Sequence, residues 1–499
     1  MLDAAADAGT PEPGDLRELL LHRFDSVERD DDVAVRAVHR TGSGARPDGP
    51  AHGVPARVAT EGVTLCGGRV QHGCRQHRDR EGPRPRGGRR MDPTSATTTR
   101  PRTPRLAEPC LDGEPVTTDD AVLVAALQLR AEPGPVPRAL RTVGVEEELL
   151  LADPRTGRLV PAAAAVLATA ASLPTGLPLL TAELQQEQVE TATPPRVALA
   201  DLVQDLRDLR VVAQAAAAEA GALAVPLATS PLPVHPSLTP APRYRAIQER
   251  FGMTCAQQLT CGCHVHVAVA SPDEGVAVLD RIRPWLPVLS ALTANSPYAQ
   301  GADTGYAAYR TQAWGRWPTT GPADLYGSAG GYRARLQQLL DTGVLLDAGM
   351  FYGDARLSHR YPTVEVRVAD VCLDPADAVL QAGLVRALVD TAAREWSSGV
   401  PVLEVPTAVL RLAAWRASRS GVEGELLHPL TGRPVPAATA VAALLDHVGR
   451  ALAESGDTAG VEGRAEHVLA HGTGATWQRA VVERTGDLGE VVRRAGTRR

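Results

Sequence analysis

The chain has 499 residues, of which 44% are hydrophobic and 3% aromatic, and its formal charge at pH 7 is −6. This length allows about two to four domains, or one large domain with an appendage. So small a charge on so long a chain gives no reason to expect binding to nucleic acid or to a membrane surface, and no stretch of about 18 apolar residues predicts a membrane-spanning helix.

The cysteine content and the first residues both favour a cytoplasmic location. Seven cysteines, an odd number in a long chain, argue against a disulfide framework and for a reducing compartment. The opening segment, MLDAAADAGTPEPGD, lacks the basic and apolar regions of a secretory signal.

Residues 1–137 form a low-complexity extension that we expect to be disordered. Segments such as RQHRDREGPRPRGGRRMDPTSATTTRPRTPRL are rich in Arg, Pro and Gly and have no sustained hydrophobic period. Such segments bury too little apolar surface to offset the entropy lost on ordering. The cysteines and histidines between residues 66 and 77 belong to this stretch, and chance clustering explains them better than a metal site. A catalytic domain is predicted over residues 138–499.

Regular structure is predicted from Arg141 onward. RTVGVEEELLLAD predicts a strand, PRTG a turn and VPAAAAVLATAASL a helix. AELQQEQVETATPP is strand-like and stops at a Pro pair. RVALADLVQDLRDLRVVAQAAAAEAGA predicts a long amphipathic helix that ends at Gly221. Its apolar positions at helical spacing are Leu202, Leu206, Leu209 and Val212.

Strands and helices then alternate along the chain. ALAVPLATS predicts a buried strand, PRYRAIQERFG a short helix and TCGCHVHVAVAS a strand. VAVLDRIRPWLPVLSALTANS is apolar and helical, with Pro284 and Pro287 marking a kink or a start. Residues 332–346 are predicted to be helical, TVEVRVADVCLD a strand, and PADAVLQAGLVRALVDTAARE a helix with Pro375 in its first turn. The remainder, from about Val405, is predicted to be helical, and no βαβ phosphate-binding fingerprint is present.

Three of the predicted strands each place charged or ligating side chains on one face. Side chains alternate across a strand, so residues two apart share a face. The residues that share these faces are Glu146 with Glu148, His264 with His266, and Glu365 with Arg367, the last pair opposite Val364, Val366 and Val368. The other faces carry valine and leucine, interrupted by Glu147.

A divalent metal site is the interpretation that fits all three faces. Any one of them also fits the wet side of a half-exposed strand, but such a side usually mixes Thr, Ser, Lys and Gln. Carboxylates two residues apart repel unless a cation lies between them, and carboxylates with an occasional His suit Mg²⁺ or Mn²⁺ better than Zn²⁺. A structural zinc on Cys255, Cys261 and Cys263 is disfavoured, because Cys263 faces away from the neighbouring histidines and no second cysteine pair lies nearby.

Five motifs, in this order, resemble the carboxylate–amine ligases of the glutamate–cysteine ligase type 2 family, which belongs to a superfamily with glutamine synthetase. They are GVEEELLL, ELQQEQVETATP, CGCHVHV, DTGYAAYRTQAWGRWPT and TVEVRVADVCLD, within residues 138–490. Three glutamine synthetase patterns, G-x-E-x-E, G-x-H-x-H and E-V-R-x-x-D, are similar to segments of this chain. The matching residues are Gly144, Glu146 and Glu148; Gly262, His264 and His266; and Glu365, Val366, Arg367 and Asp370.

The resemblance implies an α+β fold, with a glutamine synthetase-like catalytic domain built on a central antiparallel β-sheet flanked by helices, and the use of ATP with Mg²⁺ or Mn²⁺. By the same resemblance, Glu146, His264 and Glu365 would hold the metal that bridges the ATP phosphates, and Glu148 and Glu190 the metal nearer the substrate carboxylate. Arg367 would contact the transferring phosphate, Arg310 the substrate α-carboxylate, and His266 either nucleotide phosphate or His264.

Glu183 is a further candidate ligand whose orientation the sequence leaves open. It lies seven residues before Glu190 and therefore has the opposite orientation in a single continuous strand. It joins the metal ligands only if a bulge or a turn intervenes.

The reaction implied by the family is amide formation from a small-molecule carboxylate and a small-molecule amine through an acyl phosphate. The default substrates are L-glutamate and L-cysteine, which give γ-glutamylcysteine, ADP and phosphate, and another amine remains open. A non-catalytic regulatory homologue is one alternative, although no metal ligand is missing. A guanidino phosphotransferase of the same superfamily is another, although the doubled carboxylates and paired histidines favour the ligase. A homo-oligomer is left open.

Overall fold

The computed structural model describes residues 140–172 and 180–498. The extension predicted for residues 1–137 and its cysteine–histidine cluster lie outside the described residues. The fold that follows is therefore that of the predicted catalytic domain.

A seven-stranded sheet in which every pairing is antiparallel forms the centre of the fold. The strands of the described residues are β1 (Val143–Ala152), β2 (Leu180–Ala182), β3 (Gln188–Ala192), β4 (Leu223–Val225), β5 (Gly262–Ala268), β6 (Tyr298–Ala299), β7 (Ala302–Asp303), β8 (Ala355–Leu357), β9 (Thr363–Asp370), β10 (Glu425–Leu427) and β11 (Pro434–Pro436). The sheet order is β2-β3-β1-β5-β9-β8, with β4 paired to the end of β1, while β6–β7 and β10–β11 form separate pairs.

Helices surround this sheet, as predicted for an α+β fold. The α-helices of the described residues are α1 (Ala163–Ala171), α2 (Leu199–Glu219), α3 (Pro242–Phe251), α4 (Met253–Ala256), α5 (Pro272–Ile282), α6 (Leu286–Leu292), α7 (Arg310–Trp314), α8 (Ala329–Asp341), α9 (Pro375–Ser397), α10 (Thr407–Ser420), α11 (Ala437–Ser455), α12 (Thr458–His471), α13 (Gly474–Thr485) and α14 (Leu488–Thr497). A single-turn 3₁₀ helix spans Ala348–Met350. Within residues 140–172 and 180–498, none of the helices combines the length and the apolar character needed to cross a membrane.

The apolar face of the sheet is the main core of the domain. The valines of β1, β5 and β9 pack with side chains of α2, α5, α6, α9 and α11 in one cluster. The leucines at the end of β1 pack in a second cluster with α1, β4 and α14. Burial alternates along the first six residues of β1, so the predicted division into an apolar and a polar face is confirmed.

Three predictions of local structure need correction. AELQQEQVETATPP is not one strand, because a turn separates β2 from β3 and the two pair antiparallel. The C-terminal region contains the β10–β11 pair between helices α10 and α11. The helix predicted over residues 332–346 is α8, which starts at Ala329 and ends at Asp341, because Gly343 adopts a φ of +68°.

Candidate active site

The polar faces of four adjacent strands, β3, β1, β5 and β9, meet in the middle of the sheet. In the pairing of β1 with β5, Glu146 lies opposite His264, and in the pairing of β1 with β3, Glu148 lies opposite Glu190. In the pairing of β5 with β9, His266 lies opposite Glu365. The structure thus brings all five predicted metal ligands onto neighbouring strands.

The first group of potential ligands consists of Glu146, His266 and Glu365. One ligand atom from each lies within 4.8 Å of the other two. The Nε2 atom of His266 is 3.3 Å from a carboxylate oxygen of Glu146, and the Nδ1 atom of His264 is 3.4 Å from the other. The predicted set contained His264 in place of His266, so both imidazoles are candidates for the same position.

The charges around this group favour an ionised carboxylate and a neutral imidazole. Burial raises the pKa of Glu146, but hydrogen bonds from His264 and His266 outweigh it and hold the pKa well below the usual range. Burial and the positive charge of Arg367 lower the pKa of His264 to about 4. A neutral imidazole beside carboxylates has a free nitrogen lone pair with which to bind a cation.

Two arginines hold the carboxylate of Glu365 in place. Arg356 of β8 donates to both of its oxygens, from Nε at 2.7 Å and from a terminal nitrogen at 3.1 Å, and Arg367 also pairs with it. Burial raises the pKa of Glu365, but the charges of Arg367 and Arg356 bring it down to about 2. Glu365 is therefore ionised at neutral pH and fixed in orientation.

The second group of potential ligands consists of Glu148, Glu183 and Glu190. Burial and the charge of Glu183 raise the pKa of Glu148 to about 7, although Arg310 and the backbone N–H of Gly262 oppose this. Burial and a hydrogen bond shared with Glu183 raise the pKa of Glu190 well above its usual value. A cluster of three carboxyl groups in which the pKa values of Glu148 and Glu190 are raised in this way fits a site for a bound cation.

The turn between β2 and β3 explains how Glu183 reaches this group. Glu183 is the residue directly after β2. Because β2 pairs antiparallel with β3, Thr181 lies opposite Glu190. The opposite orientation expected for a single continuous strand therefore does not apply. The turn predicted as the alternative is present, and it brings Glu183 within hydrogen-bonding reach of Glu190.

The donors in both groups suit Mg²⁺ or Mn²⁺. The first group offers two carboxylates and an imidazole, and the second offers three carboxyl groups. Hard divalent cations prefer oxygen ligands, and an occasional His is compatible with Mn²⁺ as well as Mg²⁺. No cysteine joins either group among the described residues, and the four described cysteines are all buried.

A β-bulge in β9 shapes the end of this polar face. Pairing with β5 shifts register there, since Val265 lies opposite Val366 while Cys263 lies opposite Ala369. The extra residue leaves Val368, predicted to lie in the core with its neighbours, only half-buried. The shift also aligns Asp370 with Gly262, where Ser296 donates to its carboxylate at 2.7 Å. Bulges that redirect side chains in this way are frequent beside active sites.

Arg310 and Arg367 lie at the same end of the face. Arg310 is only 4% exposed, and its terminal nitrogens donate to the backbone carbonyl of Arg367 at 3.4 Å. The Nε–H of each arginine is buried with no hydrogen-bond partner among the described residues. A side chain at Gly262 would overlap the Arg310 guanidinium, so the glycine allows Arg310 to approach the sheet. Both arginines are thus positioned to bind an anion.

Sequence reasoning missed Arg356 and Asp354. Asp354 precedes β8, and its carbonyl accepts a hydrogen bond from the backbone N–H of Arg367 at 2.9 Å. The signal was DARLSHRYPTVEVRV, in which a short segment before a turn can pair with the following strand. Arg356 lies directly opposite Glu365 in that pairing.

Comparison with known proteins places these residues in a family. The model of glutamate-cysteine ligase family 2 matches residues 142–494. A protein of Streptomyces avermitilis, provisionally named glutamate–cysteine ligase 2-1, is 51% identical over 353 residues, which cover 71% of this chain and 98% of that protein. A protein of Streptomyces coelicolor, provisionally named glutamate–cysteine ligase 2, is 52% identical over 353 residues, which cover 71% of this chain and 97% of that protein.

Two solved structures share the fold at low sequence identity. The glutamate–cysteine ligase of Francisella tularensis, in complex with AMP, aligns with a TM-score of 0.53 and 13% identity, covering 72% of this chain and 88% of that one. A bifunctional glutathione synthetase from Pasteurella multocida aligns with a TM-score of 0.53 and 15% identity, and the alignment covers 71% of this chain and 52% of that one. The predicted fold class is thereby confirmed.

Proposed function

We propose a reaction for this chain, which belongs to the glutamate–cysteine ligase family 2, whose model matches residues 142–494. The family makes it an ATP-dependent ligase. The reaction we propose joins the γ-carboxylate of L-glutamate to the amino group of L-cysteine, with hydrolysis of ATP to ADP and phosphate. The observation that carries the proposal is the convergence of two acidic groups on one face of β3, β1, β5 and β9, with Arg310 and Arg367 at one end of that face.

Metal binding is assigned to the two groups of ligands. Glu146 and Glu365, with His264 or His266, would hold one divalent cation, and Glu148, Glu183 and Glu190 would hold another. Bound there, Mg²⁺ or Mn²⁺ neutralises phosphate charge and polarises oxygen atoms. The ionised state of Glu365 and the neutral state of His264 suit them to this task. If His264 ligates the metal, His266 is free to contact nucleotide phosphate.

The two arginines bind the anions that must approach one another. A carboxylate and the γ-phosphate repel, so activation requires cationic donors aimed at the oxygens. Arg367 contacts the transferring phosphoryl group, and Arg310 holds the α-carboxylate of the substrate. Each has a buried, unpartnered Nε–H available for this. A planar guanidinium matches both anions.

Chemically, the substrate carboxylate oxygen attacks the γ-phosphorus of ATP, and the bond to ADP breaks. The amine nitrogen then attacks the acyl carbon of the resulting acyl phosphate, and phosphate leaves with the electron pair of the C–O bond. Counted from its ammonium form, the amine loses two protons, one to free the lone pair before the attack and one as the amide forms. Hydroxide would be a poor leaving group, which is why the carboxylate is first phosphorylated.

The test is product analysis with purified protein, ATP, L-glutamate and L-cysteine, first with Mg²⁺ and then with Mn²⁺. ADP release that requires both amino acids, with a γ-glutamyl amide detected by mass spectrometry, is the expected result. AMP as the nucleotide product would refute the acyl-phosphate route, and a phosphorylated guanidino product would favour the phosphotransferase. Absence of both nucleotide turnover and calorimetric Mg·ATP binding would refute either enzyme. A cytoplasmic location and any homo-oligomer stay predictions.

A further inference from the structure

A cavity of about 460 Å³ lies beside the proposed ligase site. It is bounded by α7, α10, the segment around Asp354, and the bulge of β9. Arg310 and Arg367 are among its lining residues, so it communicates with the groups proposed to bind the substrate α-carboxylate and the transferring phosphoryl group. Its volume lies in the range of pockets that enclose a whole small molecule, roughly 300–1,000 Å³.

The charges that line the cavity are one acid and several arginines. Among its described lining residues, Asp354 is the single carboxylate, whereas Arg310, Arg367, Arg316 and Arg411 are cationic. Arg316 is engaged, because it donates to Gln257 through both terminal nitrogens. Arg411 makes no hydrogen bond or ion pair within residues 140–172 and 180–498, and it acts on Asp354 only through its charge. The cavity therefore offers separate sites for one cationic group and one anionic group.

Asp354 is held rigidly but keeps its carboxylate available. Its backbone N–H donates to the carbonyl of Gly321 at 3.1 Å, and its carbonyl accepts from the N–H of Arg367 at 2.9 Å. Its side chain makes no hydrogen bond within the described part of the chain. Burial raises the pKa of Asp354 to about 7, although Arg310 and Arg411 oppose this. Such a carboxylate is well suited to exchange a proton near neutral pH.

Aromatic and apolar side chains form much of the remaining wall, beside the polar Ser290, Thr311, Gln312 and Thr320. Trp314 and Trp317 both pack against Tyr352. The centroid of the Tyr352 ring lies 4.9 Å from that of Trp314 and 5.7 Å from that of Trp317. Trp415 of α10 also lines the cavity, and it is 46% exposed. Leu286 and Pro287 at the start of α6 complete an apolar surface. These walls favour a ligand with an apolar side chain.

We propose that this cavity binds the amine substrate of the ligase, with Asp354 receiving its ammonium group and Arg411 its carboxylate, and that this substrate is an α-amino acid with an apolar side chain. The inference rests on the proposed function, because it assigns the acceptor of the same reaction. It also goes beyond that function, since L-cysteine becomes a small member of the class and larger apolar amino acids become the better acceptors.

Asp354 also acts as the base in this reaction. Its carboxylate takes one proton from the ammonium group, and the freed nitrogen lone pair forms the C–N bond at the acyl phosphate carbon. The bond between the acyl carbon and the oxygen that bridges it to phosphorus then breaks. Phosphate leaves as HPO₄²⁻, carrying one of the two protons lost by the nitrogen, and Asp354 releases the other proton to solvent. One acyl phosphate and one ammonium group thus give one amide, one phosphate and one proton.

The first test compares amino acids with their decarboxylated analogues. ADP release and amide formation are measured with ATP, Mg²⁺ and L-glutamate, using L-phenylalanine against phenethylamine and L-cysteine against cysteamine. Each amino acid should exceed its amine by at least about tenfold in kcat/KM, and L-phenylalanine should exceed L-cysteine, because apolar burial of a side chain is worth about tenfold or more. Equal use of amino acids and amines would overturn the assignment of a carboxylate to Arg411.

Two variants test the assigned residues separately. Asp354→Asn should lower kcat for every amine by roughly 10²–10⁴-fold, the range for loss of a general base. Arg411→Met should raise KM about tenfold for amino acids and leave kcat/KM for phenethylamine unchanged. Arg416→Met is the matched control, because Arg416 lies on the same helix but outside the cavity and pairs with Glu425. An unchanged kcat in Asp354→Asn, or an unchanged amino acid KM in Arg411→Met, would overturn the role of that residue.

Failure of this inference can be distinguished from failure of the proposed function. Amide formation that is indifferent to both variants would keep the ligase and refute the cavity as its acceptor site. If wild-type protein makes no amide, the proposed function is refuted, and calorimetry with L-phenylalanine then decides the cavity alone. Binding that Arg411→Met weakens about tenfold would support an amino acid site, and absence of binding would overturn it.

Discussion

Replacing Glu147 tests whether an ion pair in the core supports the catalytic face. Glu147 interrupts the apolar side of β1 and is fully buried. Arg210 of α2 donates to both of its carboxylate oxygens, at 2.9 and 2.7 Å. Arg210 also donates to the carbonyls of Cys372 and Leu373, which follow β9. The pair therefore connects β1, α2 and the end of β9, the elements that carry much of the proposed site.

Glu147→Gln should lower the free energy of unfolding by about 3–5 kcal/mol, because it leaves the Arg210 cation, whose side chain is only 15% exposed, without a counter-charge. The double variant Glu147→Leu, Arg210→Met should lose less, about 1–3 kcal/mol. It removes both charges, and the remaining loss comes from the carbonyls of Cys372 and Leu373, which lose their donor.

Urea unfolding followed by circular dichroism measures these differences. The control is Asp347→Asn, which breaks an ion pair on the surface. The side chains of Arg243 and Asp347 in that pair are 43% and 45% exposed. That exposed pair should contribute about 0–1 kcal/mol. A Glu147→Gln variant within about 1 kcal/mol of wild type, or a double variant that is less stable than the single one, would show that this ion pair does not support the sheet.

Three further predictions concern the metal groups and the extension. Of the variants His264→Ala and His266→Ala, the one that removes the metal-binding imidazole should raise the Mg²⁺ concentration needed for half-maximal ATP binding about tenfold or more. Its melting temperature should be retained. A large loss of melting temperature with turnover kept would instead make that residue structural. In metal-free protein the pKa of Glu148 is raised from 4.5 to about 7. The folded state therefore binds more protons between these values, and its stability should fall by about 3 kcal/mol as the pH rises through this window. In thermal melts Mg²⁺ should restore stability at pH 8 but not at pH 5, and equal stabilisation at both would contradict the assignment. Limited proteolysis should trim the chain to a core that starts between residues 110 and 142, unless a resistant N-terminal fragment survives.

The two faces of the central strands could be predicted from the amino-acid pattern. The alternation in TVGVEEELLL, CGCHVHV and TVEVRV depends only on strand geometry, in which neighbouring side chains point to opposite sides. It therefore predicted both the buried valines and the polar face that carries Glu146, His264 and Glu365. The long helices α2 and α9 followed from local apolar spacing and a proline at the start of α9.

Which polar groups meet could not be predicted in the same way. The pairing of β8 with β9 brings Arg356 to Glu365, and the turn after β2 brings Glu183 to Glu190, because register is set by contacts between segments distant in sequence. The bulge in β9 shows the same limit, since a single extra residue changes which side chains share a face. The cavity around Asp354 also depends on packing, because α7, α10 and β9 are far apart in the chain and only the folded core brings their side chains to one place.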